Sequence, residues 1–375
     1  MNGFEVVFDQ ASAAARGEAH GALFRAEIRE LARIRSELAL VRGRFGTLDV
    51  LRAVAAAHLP VLERFDADLH AELCGIARGA GVDPVDVVIL NHYTDLRDVP
   101  PEAVGAAAAA PADPGGCTAV YTDGWYGPVL GQTWDMHGTA APFVRLLRFD
   151  PPGGPEMLCF SLTGCLGMAG LSGTGVGVTI NNLSSTDGQV GVVWPALVRR
   201  MLAAPDAEAA RDLLLATPLS SGHHYMIADG RSFYGVECSA RRKVVTQRGA
   251  KASFLHTNHC FDPSLRRVEK VSPASTTFRR MDLASTLFVQ LRPRTIEDLW
   301  ALLSSHEGYP RSICSHVDDA GGDPSASRTC GGIAMALCGG RVRAAAGCLA
   351  EAVPIDTRVR RWQGCPEIPC REVGP

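Results

Sequence analysis

A cysteine behind two glycines, Gly115-Gly116-Cys117-Thr118, stands where an Ala/Pro/Gly-rich stretch runs into a strand-like segment, Cys117 to Tyr121. A thiol so placed could attack the carbonyl of Gly116. An N→S acyl shift would give a thioester, water would hydrolyse it, and Cys117 would become a chain end. The nucleophile would then carry its own base. A freed α-amine titrates at about 7.7–8.0 and a thiol at about 8.5. Gly116 suits the scissile position because it has no side chain to block attack and tolerates strained dihedrals. The expected products are chains 1–116 and 117–375.

Other residues fit around such a nucleophile. Gly131-Gln132-Thr133-Trp134-Asp135 reads as a strand ending in a carboxylate that could orient an amine or an imidazole. Thr179-Ile180-Asn181-Asn182 and His256-Thr257-Asn258 place amides at strand ends. Amide N–H groups there could hold the oxyanion formed when sulfur attacks a carbonyl, an interaction worth a few kcal/mol. Each Asn alone reads as a turn residue, so the argument rests on the group. Trp134, Asn181 and His256 are candidates for substrate contact.

Several other chemistries lack support. Gly-x-Ser-x-Gly is absent, which removes the hydrolase nucleophile elbow. Gly173-Thr174-Gly175-Val176-Gly177 leads into a strand rather than a helix, so it reads as a tight turn and not a phosphate loop. His223-His224 and His256-Thr257-Asn258-His259 have no third ligand at a telling distance. None of the twelve cysteines forms a Cys-x2-Cys pair, and Cys365 and Cys370 stand too far apart for a zinc knuckle. No metal centre and no cofactor are expected. Cysteines this scattered, in a chain without an evident signal segment, read as reduced core residues.

The elements that must position these groups come in two kinds. Residues 21–98 are helical in pattern: Leu23, Ile28, Leu31, Ile34 and Leu38 recur at three- and four-residue spacing, and Leu51, Val54, Ala55, Leu59 and Leu62 repeat it. A third helix through Asp68–Ala77 ends at Gly79 or Gly81, and Asp83-Pro84 caps a fourth. Residues 99–116 have linker composition. From 117 the period changes to two, with strands expected at 117–122, 128–134, 143–149, 157–163, 175–181, 223–228, 232–238, 243–247 and 253–257. Helices interrupt at 193–203, 206–216 and 295–305. A last hairpin, Gly332–Cys338 and Val342–Cys348, turns at Gly339-Gly340. Many antiparallel strands with helices in separate runs argue for an α+β sandwich.

Composition is that of an ordinary globular chain, 46% apolar and 21% charged, with a net charge of −3. Without a run of one sign, nucleic acid and anionic membrane surfaces are poor partners. No stretch approaches the roughly 18 apolar residues of a membrane helix, and Met1–Glu5 lacks a basic and an apolar leader region. A cytoplasmic location is expected.

Taken together, the motifs resemble the acyl-coenzyme A:6-aminopenicillanic acid acyltransferases, or isopenicillin N acyltransferases, of the N-terminal-nucleophile hydrolase superfamily. The resemblance runs through Gly17-x-x-His20-Gly21, Glu72-x-x-Gly75-Ile76-Ala77-x-Gly79-Ala80, Leu90-Asn91 and Gly116-Cys117-Thr118. It continues through Gly131-Gln132-x-Trp134-Asp135, His256-Thr257-Asn258-His259-Cys260 and Tyr309-Pro310-x-Ser312-Ile313-Cys314, and the eighteen-residue step from Cys117 to Asp135 also matches. It implies an αββα sandwich made as a precursor and cut before Cys117, the two pieces staying together as an α/β heterodimer in one domain. The family's nucleophile falls on Cys117, its catalytic Asp on Asp135 and its oxyanion Asn on Asn258. The family's Ser-Arg pair falls on Ser327-Arg328, while the basic residue expected after Ser-Ile-Cys is replaced by Ser315. Recognition near 311–329 should therefore differ, and penicillin chemistry does not follow.

The function implied is a self-processing cysteine enzyme that passes an acyl group through Cys117 to a small-molecule amine. Acyl-coenzyme A or another thioester is a possible co-substrate. Amide hydrolysis with water as acceptor, and a silent binding scaffold, are the alternatives. The bias toward Ala, Arg and Gly suggests a GC-rich bacterial source, in which such an enzyme would serve secondary metabolism.

Overall fold

Two β-sheets face each other and carry helices on their outer sides. The computed structural model describes residues 3–42, 45–104, 116–317, 323 and 326–367. The Ala/Pro/Gly-rich stretch from 105 through Gly115, and Cys370, lie outside them. The first sheet contains β1 (Glu5–Phe8), β4 (Val144–Phe149), β5 (Met157–Leu162), β6 (Ala169–Ser172), β7 (Gly177–Leu183), β8 (Gly222–Ala228), β9 (Phe233–Cys238) and β10 (Lys243–Arg248), in that order. The second runs β11 (Phe254–His256), β2 (Ala119–Thr122), β3 (Val129–His137), β12 (Ser327–Ala336), β13 (Arg341–Ala346) and β14 (Ile355–Arg358). Strands β3 and β2 face β7, and β12 faces β6. Helices α7 (Trp194–Leu202) and α8 (Ala207–Ala216) cover the first sheet, while α10 (Thr277–Leu291) and α11 (Ile296–Leu303) cover the second, with the single turn α9 (Pro263–Arg266) between β11 and α10. This is an αββα sandwich, as the resemblance implied.

The N-terminal segment is helical, with α1 (Ala13–Leu23), α2 (Arg25–Arg42), α3 (Leu48–Ala57), α4 (Leu59–Phe65), α5 (Ala67–Ala80) and α6 (Pro84–Leu96). Its glycine motifs have a packing cause. Gly17 and Gly21 of α1 cross Gly75 and Gly79 of α5 so closely that a Cβ on Gly17 would lie 2.0 Å from the Glu72 carbonyl oxygen. A Cβ on Gly75 would lie 2.4 Å from that of Ala14. Hydrogen alone fits at this crossing. Glu72, buried beside it, takes Arg16 Nη2 at 2.9 Å and Arg199 Nη1 at 3.0 Å, tying α1 and α5 to α7. Asn91 on α6 donates to Gly164 O and accepts from Leu166 N, holding the turn after β5.

The differences from the sequence reading have local reasons. Helix α1 begins at Ala13, where Ser12 accepts from Ala15 N, so the helical run starts earlier than residue 21. β1 and β14 have four residues each, too few to show a period. Helix α10 lacks a side-chain cap and mixes Thr, Arg and Asp among its apolar positions. The strand at 117–122 becomes regular only from Ala119, for a reason that lies in the site. No described cysteine is disulfide-bonded, and no helix among the described residues is long and apolar enough to cross a membrane.

Three fully buried histidines set an acid limit. Burial brings His20 down to about 3, His58 to about 4 and His92 to about 3. Unfolded, they would take up protons near pH 6.5, whereas folded they refuse them until far lower pH. The stability they allow is therefore full above about pH 6.5 and is lost as the pH falls from there toward 3–4. Each contributes up to about 1.4 kcal/mol per pH unit in that window. Urea midpoints should be flat from about pH 7 to 8 and fall steeply below about pH 6.

Candidate active site

The position of Cys117 is fixed by the hairpin it precedes. β2 and β3 pair antiparallel with Ala119 opposite Gln132, and an isolated bridge continues the register to Gly116 opposite Asp135. Gly116 N donates to Asp135 O at 3.0 Å, and Asp135 N donates to Gly116 O at 2.7 Å. The eighteen-residue step is thus a strand register. Residues directly opposite in an antiparallel pair project to the same face, so the Asp135 carboxylate occupies the space beside Gly116. A Cβ on Gly116 would lie 3.0 Å from Asp135 Oδ2 and 2.7 Å from Arg280 Nη2. Between the bridge and β2 the ladder continues with Thr133 N donating to Thr118 O at 2.9 Å, while Thr118 N turns to the Thr133 side chain and donates to its Oγ1 at 3.0 Å.

Both sheets hold the Cys117 backbone. Asn181, on β7 of the first sheet, donates through Nδ2 to Cys117 O at 3.1 Å and to His256 O at 3.3 Å. Asn258, two residues beyond β11, accepts from Cys117 N through Oδ1 at 2.8 Å. Its Nδ2 donates to Asn182 O at 2.9 Å, and its backbone N–H is held by Thr277 Oγ1 at 2.7 Å.

The cation at this site is Arg280, in the first turn of α10 and 1% exposed. Nη1 donates to Cys117 O at 2.6 Å and Thr118 Oγ1 at 3.1 Å, Nη2 to Asn258 Oδ1 at 2.7 Å, and Nε to Thr276 Oγ1 at 2.9 Å. Its Nε stands 3.8 Å from Asp135 Oδ2. Asp135 Oδ1 accepts from Thr329 Oγ1 at 2.7 Å, whereas Oδ2 is buried without a hydrogen-bond partner.

Burial and a neighbouring carboxylate keep the sulfur neutral. Burial, followed by the Asp135 charge, pushes the Cys117 thiol up to about 12, against Arg280 and the backbone N–H groups of Asp135 and Asn182. Burial also raises Asp135, with Arg280 and the hydroxyls of Thr329 and Thr133 opposing.

Gly116, Cys117 and Asp135 line a narrow cavity of about 30 Å3. Its walls are largely apolar, with Trp134, Met168, Ile180 and Trp194 among them. Arg35 from α2, with Asn91 and Thr94 from α6, brings the N-terminal segment to the same space.

Not every sequence candidate comes to this cavity. Cys117, Asp135, Asn258 and Asn181 converge, and Trp134 is in the wall. His256 lies behind it, stacked on His224 at 3.6 Å between ring centroids and bonded through Nε2 to Glu237 Oε1 at 3.0 Å. Arg328 pairs across the ladder with Met136, one residue before the Thr329 that reaches Asp135, and its Nη2 lies 3.5 Å from His316 Nδ1. Asn181 and Asn258 hold the Cys117 backbone without lining the cavity, Asn182 lines it in their place, and His256 and Arg328 are not among its lining residues either. Arg280 and Thr329 were missed because no local motif marks either one. Arg280 lies in a helix that the sequence pattern does not announce.

Residues 123–322 match the model of the acyl-coenzyme A:6-aminopenicillanic acid acyltransferase family. The chain belongs to that family. The matched span begins six residues after Cys117 and contains Asp135, Asn181, Asn258 and Arg280. Membership makes the chain an enzyme of the acyl-transfer and amide-hydrolysis class. No curated protein sequence matches it. Among solved structures, a Caenorhabditis elegans ortholog of N-acylethanolamine-hydrolyzing acid amidase is similar at 14% identity and TM-score 0.38, over 59% of this chain and 93% of that one. A mutant conjugated bile acid hydrolase from Clostridium perfringens is similar at 11% and 0.38, over 69% of this chain and 100% of that one. Penicillin V acylase from Agrobacterium tumefaciens is similar at 11% and 0.37, over 64% and 86%.

Proposed function

We propose that the chain cuts itself before Cys117 and then transfers acyl groups through the Cys117 thiol to an amine. The observation that carries the proposal is the scissile peptide itself. The Gly116 carbonyl oxygen accepts from Asp135 N at 2.7 Å, and the Cys117 nitrogen is held by Asn258 Oδ1 at 2.8 Å. Sulfur adds to the Gly116 carbonyl carbon, and charge develops on an oxygen already facing an N–H donor. The C–N bond breaks, the thiol proton passes to the leaving nitrogen, and water hydrolyses the thioester to a Gly116 carboxylate and a free thiol.

In the cut enzyme the α-amine is the base for its own thiol. Asp135 Oδ2, buried beside Gly116, is an acceptor that can position the ammonium form. The thiolate attacks the donor carbonyl, the donor's thiol or amine leaves, and an amine then attacks the acyl-cysteine to give the amide. Asn258 Nδ2, with its second hydrogen, and the N–H groups around the sulfur supply oxyanion donors. The mixed apolar wall fits an acyl chain, and acyl-coenzyme A or another thioester is the donor class. The N-terminal piece must stay bound as one half of a heterodimer, because Arg35, Asn91 and Thr94 line the cavity.

Intact-mass measurement and N-terminal sequencing of the purified protein test the reading. A fragment beginning at Cys117 is expected, and a permanently single chain overturns self-processing. Incubation with a thioester and an amine should give amide in excess over free acid, whereas free acid alone assigns water as the acceptor. Gly116→Ala should slow cutting by at least about tenfold, since the added methyl must displace the pinned Arg280 guanidinium. Timed gel analysis of the fresh variant reads this directly, and an unchanged rate would show that Arg280 gives way freely.

A further inference from the structure

Two cysteines and two histidines converge away from the cavity, at the end of the second sheet. His306 follows α11, Cys314 and His316 precede β12, and Cys348 follows β13. Their four donor atoms all lie within 4.8 Å of one another, with three of the four residues buried. Cys314 Sγ and Cys348 Sγ are 3.8 Å apart, and His306 Nε2 and His316 Nε2 are 3.2 Å apart. The sulfur–nitrogen contacts are 3.3 Å for Cys348 with His306 and 3.8 Å for Cys314 with His316.

These are four of the six edges of a coordination tetrahedron, and the two remaining sulfur–nitrogen edges are no longer than 4.8 Å. With zinc–sulfur bonds of about 2.3 Å and zinc–nitrogen bonds of about 2.0–2.1 Å, tetrahedral geometry places sulfurs about 3.8 Å apart, nitrogens about 3.3 Å apart and mixed pairs about 3.6 Å apart. A disulfide would need the sulfurs at about 2.05 Å. We infer that His306, Cys314, His316 and Cys348 form a closed Cys2His2 site for a zinc ion. Two thiolates and two imidazoles are a borderline-soft donor set that selects zinc over magnesium or calcium, and four protein ligands leave no position for a reacting water. On binding, the ion displaces one proton from each thiol, and nothing is oxidised. Leu349 N lies 3.4 Å from Cys314 Sγ, placed to donate to the thiolate from outside the ligand set.

The proposed site departs from the expectation of no metal centre, and it would give the Tyr309-to-Cys314 motif a purpose. The ligands enclose Ser315, whose N–H donates to Thr329 Oγ1 at 2.7 Å and whose carbonyl accepts from Thr329 N at 2.8 Å. Thr329 in turn donates to Asp135 Oδ1 at 2.7 Å. The ion would fasten three separate loop segments and, through them, the hydroxyl that orients the Asp135 carboxylate.

The test is the metal content of the full chain, purified without a histidine tag, exposed to zinc sulfate and dialysed. About one zinc per chain is expected. Cys314→Ser and Cys348→Ser should each lower it at least tenfold, while Cys74→Ser, a half-exposed thiol elsewhere, should leave it unchanged. X-ray absorption at the zinc edge of the unmutated protein should show two sulfur and two nitrogen neighbours, which keeps the test independent of how the variants fold. Substoichiometric zinc in the unmutated protein, zinc with oxygen-dominated neighbours, or a Cys314–Cys348 disulfide found by peptide mapping would overturn the assignment.

Discussion

Cys117→Ala is expected to remain a single uncut chain and to lower amide formation by roughly four to six orders of magnitude. In the proposed mechanism both steps need the same sulfur, so one substitution removes both. The sulfur is small and buried, so the variant should fold and unfold in urea in a single cooperative transition. That separates loss of chemistry from loss of structure. Intact mass reads the first step and amide product the second. A Cys117→Ala protein that still yields a fragment beginning at residue 117 would place the cutting chemistry elsewhere.

Arg280→Met should be the most damaging change outside the nucleophile. It removes the donors that hold Cys117 O, Thr118 Oγ1 and Asn258 Oδ1, and it leaves Asp135 buried without a nearby cation. Breaking a buried charged pair from one side costs about 3–5 kcal/mol. Measured in the Cys117→Ala background, where unfolding involves one chain, the urea midpoint should fall accordingly. With Cys117 intact, the proposed cutting should slow as well, since Asn258 Oδ1 loses one of its two donors and keeps only Cys117 N. Arg280→Lys should recover part of the stability but not the geometry, because an ammonium cannot span three acceptors as a fork does. A midpoint unchanged by Arg280→Met would mean that the guanidinium is a bystander.

How much of this was legible in the sequence varied with range. Cys117 and Asp135 were readable because their link is one hairpin, in which a fixed residue count becomes a fixed register. Asn258 was readable as an amide after a strand, although nothing local said that its oxygen, rather than its nitrogen, would meet Cys117. Arg280 was not readable, because its place depends on how α10 lies across the end of the second sheet. The Cys2His2 cluster was hidden for the same reason. His306, Cys314, His316 and Cys348 are separated by eight, two and thirty-two residues, and only β12 and β13, pairing between them, bring the last ligand back. The glycines at 17, 21, 75 and 79 were visible as a motif, but their meaning needed both helices at once.

The parallel pairing of β1 with β4 adds something for the cut protein. A chain severed before Cys117 would have its first sheet stitched from two molecules, with α2 and α6 roofing a cavity on the second piece. Refolding after denaturation would then be a second-order search between strangers instead of a first-order collapse, slowing as the protein is diluted. Cutting would act as a ratchet, so that a polypeptide which folds readily once would have to be kept from ever coming apart.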